Sequence, residues 1–162
     1  MNYDVNVTAD IKQTLTNASA LDAPSEVKKL LNAAAFTNQV KVFSEGKLRS
    51  TREGRIKLTF NSANGRENEI SFARSEPGLV ALRRGENEFQ EAVTVFLEEG
   101  ERRRCIAKGP TGERIEFTVF ASRVENRLLR SGKMTLDYVI EVCGIRAEEM
   151  QMTLTVSHSE KI

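Results

Sequence analysis

The stretches KMTLDYVIEV (Lys133–Val142) and EEMQMTLTV (Glu148–Val156) decide the fold of this chain. In both, every second residue is apolar over most of the length, and the residues between them are mostly polar. Strict alternation of this kind predicts a strand with one buried face and one solvated face. The two stretches therefore predict the end of an antiparallel, barrel-like sheet. Their predicted inward side chains, which would form the core or line a lumen, are Leu136, Tyr138, Ile140, Met150, Met152 and Leu154.

Shorter alternating runs recur through the rest of the chain at the roughly 8–12-residue spacing of all-β sandwiches and barrels. Glycine, proline and Asn-Gly pairs separate many of them, as is typical of turns. We therefore expect a mainly all-β chain with about ten strands. The further strands are predicted at Met1–Ile11, Val40–Arg49, Arg55–Asn61, Glu69–Arg74, Leu79–Arg84, Ala92–Leu97, Arg102–Lys108 and Arg114–Ala121, and the run Val124–Arg130 leads into the final pair.

One segment has a helical period instead. In the segment Pro24–Phe36, the apolar residues Val27, Leu30, Leu31 and Ala34 recur at the spacing of one helix face. The chain is therefore predicted to carry one short N-terminal helix. No linker or internal repeat divides the sequence, so we expect a single domain over residues 1–162.

Composition excludes several classes of protein. The 24 basic and 23 acidic residues leave a net charge of +1, which gives no overall field to attract nucleic acid or an anionic membrane. No stretch approaches the roughly 18 apolar residues of a membrane span. Cys105 and Cys143 are isolated, and the N-terminus lacks a secretion signal, so free thiols in a reducing, cytoplasmic compartment are expected, with a disulfide as the alternative.

Catalytic constellations are missing from the sequence. Its one histidine, His158, lies in the polar tail SHSEKI, which excludes a Ser-His-Asp triad and a multi-histidine metal site. No glycine-rich phosphate loop is present. Adjacent carboxylates at Glu98–Glu99 and Glu148–Glu149 point to opposite strand faces, so we interpret them as surface residues. No catalytic residue, metal ligand or cofactor is predicted.

Arg84 is the first binding candidate. It shares the parity of Val80 and Leu82, which predicts a cation on the inward face at a barrel mouth. There it would pair with an internal acid such as Glu141, although parity argues against that residue, or be exposed to solvent, and both are favoured over the alternative that it receives an anionic ligand. The residues predicted to bind a ligand are Arg84, Tyr138, Met150 and Met152.

A second candidate surface follows the run ERRR (Glu101–Arg104). On a strand, Arg102, Arg104 and Lys108 share one face, and guanidinium groups bind phosphates in a bidentate manner. Platforms for single-stranded nucleic acid also need interleaved aromatic residues, which this strand lacks. Pairing with glutamates of a neighbouring strand is therefore favoured, and docking of a protein or RNA on this face is the alternative.

The chain resembles the YwiB-like family of uncharacterised bacterial proteins, whose domain carries a "domain of unknown function" label. The resemblance covers about residues 38–156 and consists of strand and turn patterns. The matching stretches are Ser44–Lys47, Glu67–Phe72, Ser75–Leu82 with Arg84–Gly85, Val95–Gly100 with Arg102, Pro110–Gly112, Ile115–Phe120 with Val124–Leu128, and Leu136–Gly144.

The resemblance implies a calycin-like or lipocalin-like antiparallel barrel of about 8–10 strands, with the helix on an insertion at about 14–38. Small barrels either fill their interior with side chains or hold one small ligand. The leading hypothesis is a non-enzymatic barrel that binds a small anionic or amphipathic molecule. An interaction module is the runner-up, a hydrolase or isomerase inside the barrel is the third alternative, and a homodimer is left open.

Overall fold

The computed structural model describes residues 2–15, 36–61, 66–85, 93–108, 112, 114–142 and 145–159. These residues contain ten strands and one single-turn helix. The elements are β1 (Asn2–Leu15), β2 (Phe36–Ser50), β3 (Arg55–Asn61), β4 (Glu67–Ala73), β5 (Glu76–Arg84), β6 (Val93–Glu98), β7 (Arg102–Lys108), β8 (Arg114–Arg127), α1 (Leu128–Ser131), β9 (Lys133–Val142) and β10 (Ile145–His158).

All ten strands belong to one antiparallel sheet in the order β6-β5-β4-β3-β2-β1-β10-β9-β8-β7. Strands that follow each other in sequence pair with each other, except β6 and β7, which form the two edges of the sheet. β1 pairs with β10 from Val5 opposite His158 to Leu15 opposite Glu148, and this long ladder joins the two halves of the chain. The predicted mainly all-β class, with about ten strands, is confirmed.

The sheet curls until β8 meets the end of β6, which nearly closes it into a barrel. Glu99 and Ala121 form a parallel bridge, and the Gly100 N–H donates to the Ala121 carbonyl oxygen at 2.8 Å. The Glu99 carboxylate then accepts a hydrogen bond of 3.2 Å from the Val124 N–H. These contacts satisfy backbone groups that two open edges would leave unpaired.

Alternating apolar side chains fill the interior. Five of the six residues predicted to face inward from β9 and β10 are buried, and Ile140 is half-buried. The inward residues of all the remaining strands pack against these six in one continuous core. Burial of each large apolar side chain contributes about 1.5–3 kcal/mol to stability, so these rows hold the curled sheet together.

The region after β7 differs from the prediction. The strand predicted to end at Ala121 continues to Arg127 as β8, with a register irregularity between Ala121 and Arg123. The irregularity lies where β8 leaves β7 and meets β6. The strand ends in the helical turn α1, which Gly132 terminates at a φ of 73°.

The predicted helix Pro24–Phe36 lies outside the described residues, apart from Phe36, which begins β2. Within the part of the chain that is described, no helix has the length and apolar character needed to cross a membrane. The predicted single domain and the cytoplasmic location stay predictions.

The strand β2 changes its neighbours at Gly46. Among the described strands, β2 pairs only with β1 before Gly46, and from Gly46 to Ser50 it pairs with β3 as well. A Cβ atom at position 46 would lie 2.3 Å from the Thr59 carbonyl oxygen, so this close approach requires glycine. The first half of β2 therefore extends beyond β3 and forms one wall of this end of the barrel.

Candidate functional site

At this end of the barrel, the inward rows of five strands finish in polar residues. On β5 the buried Val80 and Leu82 are followed by Arg84, and on β10 the row of methionines is preceded by Glu148. Register pairs Gln13 with Asn38, and Asn68 with Arg84, so these residues share one level of the barrel. The ring consists of Gln13, Asn38, Asn68, Arg84 and Glu148.

Below this ring lies a cavity of about 380 Å³. Its walls are mostly apolar, and its rim carries two guanidinium groups, those of Arg66 and Arg84. Ligand sites in proteins have this composition, with many apolar side chains and a few placed polar groups. The apolar wall residues include Ile11, Val42, Phe60, Leu82, Met150 and Met152.

Arg84 faces Glu148 across the cavity mouth. Arg84 Nη1 lies 3.7 Å from Glu148 Oε1, and their side chains are 27% and 15% exposed. Gln13 holds the acid in place, because its Nε2 donates a hydrogen bond of 2.8 Å to the same Oε1. The interpretation of Glu148 as a surface residue is therefore wrong, and the internal acid facing Arg84 is Glu148 rather than Glu141.

Backbone contacts fix the end of β5 that carries Arg84. The Gly85 N–H donates to the Glu67 carbonyl oxygen at 2.7 Å, and the Arg66 Nε–H donates to the Gly85 carbonyl oxygen. A Cβ atom at position 85 would lie 2.4 Å from the Glu67 oxygen, so only glycine allows this approach. The arrangement brings Arg66 near Arg84, and burial together with the Arg84 charge lowers the pKa of Arg66.

Tyr138 belongs to the buried core and is 1% exposed. Its hydroxyl has no hydrogen-bond partner among the described residues. Burial raises the pKa of Tyr138, the nearby Arg84 charge lowers it, and Glu148 raises it. The charges of Arg84 and Glu148 thus act on this hydroxyl in opposite directions.

Sequence reasoning selected part of this site. Arg84, Met150 and Met152 line the cavity, whereas Tyr138 is a buried core residue that does not line it. The sequence analysis did not select the other residues of the polar rim, which include Gln13, Arg66, Asn68 and Glu148. A parity signal was available, since Glu148 continues the inward row of Met150, Met152 and Leu154 by one step.

The face of β7 predicted as an interaction surface is covered by ion pairs. Arg102 Nη2 lies 3.4 Å from Glu141 Oε1, and the Arg102 guanidinium sits 4.7 Å from the Phe120 ring centre. Arg104 Nη2 lies 3.2 Å from Glu116 Oε1. Arg104 thus pairs with a glutamate of the neighbouring strand β8, as predicted, whereas the partner of Arg102 lies on β9, two strands away. Lys108, on the same face, is exposed.

The remaining reactive side chains form no second site in the described part of the chain. His158 ends β10, is exposed, and contacts the Tyr3 ring edge-on at 5.4 Å. Cys105 is a free, half-buried thiol, and burial raises its pKa, with Arg103 opposing. No group of His, Cys, Asp and Glu side chains that could hold a metal ion lies within the described ranges.

Comparison with solved structures identifies the fold. The crystal structure of the YwiB protein from Bacillus subtilis superposes with a TM-score of 0.58 over 97% of this chain and 94% of that one. The chain has the YwiB fold. The resemblance to the YwiB-like family is thus confirmed at the level of the fold. Sequence identity to YwiB is 11%, so no site residue is carried over from it. No protein-family model and no curated protein matches the chain.

Proposed function

We propose that this barrel binds a small amphipathic anion, with the charged group at Arg84 and the apolar part in the cavity. The observation that carries the proposal is that an apolar cavity at one barrel end has two guanidinium groups, those of Arg66 and Arg84, at its rim. Binding rather than catalysis is proposed, because the described residues bring no nucleophile, base and orienting group together.

The charge of the rim supports an anion. Among the described residues, the rim carries the guanidinium groups of Arg66 and Arg84 and one carboxylate, that of Glu148. Glu148 is the one carboxylate within 4 Å of Arg84 in the described residues, and it contacts a single guanidinium nitrogen. A guanidinium carries five N–H donors, so Arg84 has donors available for a ligand oxygen.

The volume of the cavity limits the size of the ligand. Because one water occupies about 30 Å³ of liquid, 380 Å³ corresponds to roughly a dozen non-hydrogen atoms. This volume falls at the lower end of the range for small-molecule sites, about 300–1,000 Å³. A ten-carbon chain with one polar group matches it, and Met150 and Met152 supply unbranched side chains that adapt to ligand shape.

The alternative, docking of a protein or RNA on the Arg102–Arg104 face, has less support. Both guanidinium groups already have a glutamate partner, and the Phe120 ring is covered by Arg102. A partner would have to displace these contacts before it gained any of its own. We therefore keep small-molecule binding as the proposed function.

Calorimetric titration with three ten-carbon probes below their micelle-forming concentrations tests the proposal. The probes are decanoate, decan-1-ol and decylamine, which differ only in the polar group. We expect decanoate to bind at least tenfold more tightly than decylamine, because the rim is positive. Arg84→Met should weaken decanoate binding by roughly 10–100-fold, the usual effect of losing a hydrogen bond to a charged group.

Arg83→Met is the matched control, because Arg83 is adjacent in sequence but faces outward and is exposed. It should leave decanoate affinity within about twofold of the wild type. Equal affinities for decanoate and decylamine, or no effect of Arg84→Met, would refute the proposal.

A further inference from the structure

The cavity has a floor as well as a mouth. On β1, β3, β4, β5 and β10, the next inward residue beyond the cavity wall is buried in the core and does not line the cavity. The side chains of these floor residues are packed together and are only 0–2% exposed, so they close the inner end of the cavity. The floor residues are Val7, Leu58, Ile70, Val80 and Leu154.

The cavity reaches further from the mouth along β1 than along β5. On β1 its wall runs from Gln13 to Ala9, a span of four residues, which corresponds to about 14 Å at the usual rise of an antiparallel strand. On β5 its wall runs only from Arg84 to Leu82. The deep part of the cavity therefore lies against β1 and its neighbour β2, where Ala9 is paired with Val42.

Ala9 has the smallest side chain of the cavity wall. It is 1% exposed, and its register partners are Val42 on β2 and Leu154 on β10. The inward positions on either side of it in β1 carry the larger residues Val7 and Ile11. A larger side chain at position 9 would fill the deep part of the cavity, so this space depends on the alanine.

We infer that the cavity selects its ligand by the length of the apolar tail, and that Ala9 sets the limit. The inference rests on the proposed function and specifies the tail of the ligand. The limit is a straight chain of about ten carbons, because the cavity volume of 380 Å³ holds roughly a dozen non-hydrogen atoms.

The closed floor gives a physical reason for such a limit. With the charged group held at Arg84, each further methylene is buried until the tail reaches the floor. Burial of one methylene strengthens binding about fourfold. A longer tail must bend, or its charged group must leave Arg84, so additional methylenes give no further gain.

Calorimetric titration with straight-chain carboxylates of even length, from hexanoate to tetradecanoate, tests the inference below their micelle-forming concentrations. For the wild type, we expect the affinity to rise roughly tenfold with each two-carbon step up to decanoate. Dodecanoate and tetradecanoate should bind no more tightly than decanoate.

Ala9→Leu adds three carbon atoms above the floor and should move the limit to octanoate or a shorter chain. We expect it to weaken decanoate binding at least tenfold, because about three methylenes lose their place in the cavity. Hexanoate does not reach the floor and should bind within about threefold of its wild-type affinity. Ala9→Val should act in the same direction with a smaller effect.

Two comparisons separate this role from a general packing defect. Because Ala9 borders a cavity, both Ala9 variants should melt at the wild-type temperature or above it, whereas overpacking of a filled core destabilises a protein. Ala81→Leu is the matched control, since Ala81 is also buried but borders a separate groove of about 60 Å³. It should leave the limit at decanoate.

The outcomes distinguish the inference from the proposed function. An affinity that keeps rising through tetradecanoate, or a limit that Ala9→Leu does not move, would overturn the inference and leave the proposed function standing. Lower melting temperatures for both Ala9 variants would also overturn it, because they would show that no space lies beside position 9. Failure of every carboxylate to bind the wild type would overturn both.

Discussion

Arg84 and Glu148 approach each other across the barrel mouth, with Arg84 Nη1 3.7 Å from Glu148 Oε1. They belong to β5 and β10, which are separated by four strands in the order of the sheet. Only strong curling of the sheet brings them together. The contact therefore depends on the barrel shape, and it places the acid beside the proposed ligand position.

Glu148→Gln should weaken the fold and strengthen anion binding. Loss of the counter-charge leaves Arg84 partly buried without an ion pair, so we expect about 1 kcal/mol lower unfolding free energy, less than for a fully buried pair. Removing a negative charge beside the ligand should tighten decanoate binding about tenfold. Chemical denaturation and calorimetric titration measure the two effects.

Glu149→Gln is the matched control for this substitution. Glu149 is the next residue, and it pairs with Arg146 on the outside of the barrel. It should change both quantities little, because exposed ion pairs contribute about 0–1 kcal/mol. Equal effects of the two substitutions would show that Glu148 does not face the ligand.

Tyr138 should ionise at higher pH in the folded protein than in the unfolded chain. Burial raises its pKa, Arg84 opposes this and Glu148 adds to it. The unfolded tyrosine loses its proton first as pH rises above about 10. The stability contributed by the neutral phenol is therefore complete below that pH and is lost as pH rises through the folded pKa.

Tyr3→Phe leaves Tyr138 as the sole tyrosine, so its ionisation can be followed by near-ultraviolet absorbance. We expect the native titration to lie above the titration of the same protein in guanidinium chloride. Coincident curves would contradict a buried hydroxyl.

Side-chain parity made the inward rows predictable from sequence. Leu136 and Tyr138 on β9, and Met150 and Met152 on β10, alternate with polar residues, and such a pattern needs no knowledge of the partner strand. The same rule placed Arg84 inside. The rows could be predicted because one buried face dictates their spacing.

Long-range register was not predictable. Glu148 shares the parity of Met150, but its contact with Arg84 depends on how far the sheet curls, which no local pattern encodes. The length of β8, which pairs with β7 in its first half and meets the end of β6 at Ala121, was missed for a related reason. Its irregularity near Arg123 resembles a turn in sequence, and only closure against β6 shows that the strand continues.

The arginine face of β7 should contribute little to stability or to nucleic-acid binding. Arg104 is 80% exposed and pairs with a glutamate that is also exposed. We expect Arg104→Ala to change the unfolding free energy by less than about 1 kcal/mol. A short labelled RNA should show no saturable binding in fluorescence anisotropy, and salt-dependent binding abolished by Arg102→Glu with Arg104→Glu would contradict this.

Gly46→Ala should destabilise the barrel, because the added methyl would lie 2.3 Å from the Thr59 carbonyl oxygen and 3.1 Å from Val7 Cγ2. The first contact is with backbone, which cannot rotate away, so we expect a loss of about 1–3 kcal/mol. Gly78→Ala is the control, because no atom lies within 4 Å of its added methyl. It should change stability by no more than about 0.5 kcal/mol.

Urea denaturation with an unchanged m-value measures the stability of both variants, and equal losses would refute close strand approach as the cause. Since Gly46 marks where β2 separates from β3 to form the cavity wall, Gly46→Ala should also weaken decanoate binding, whereas Gly78→Ala should not.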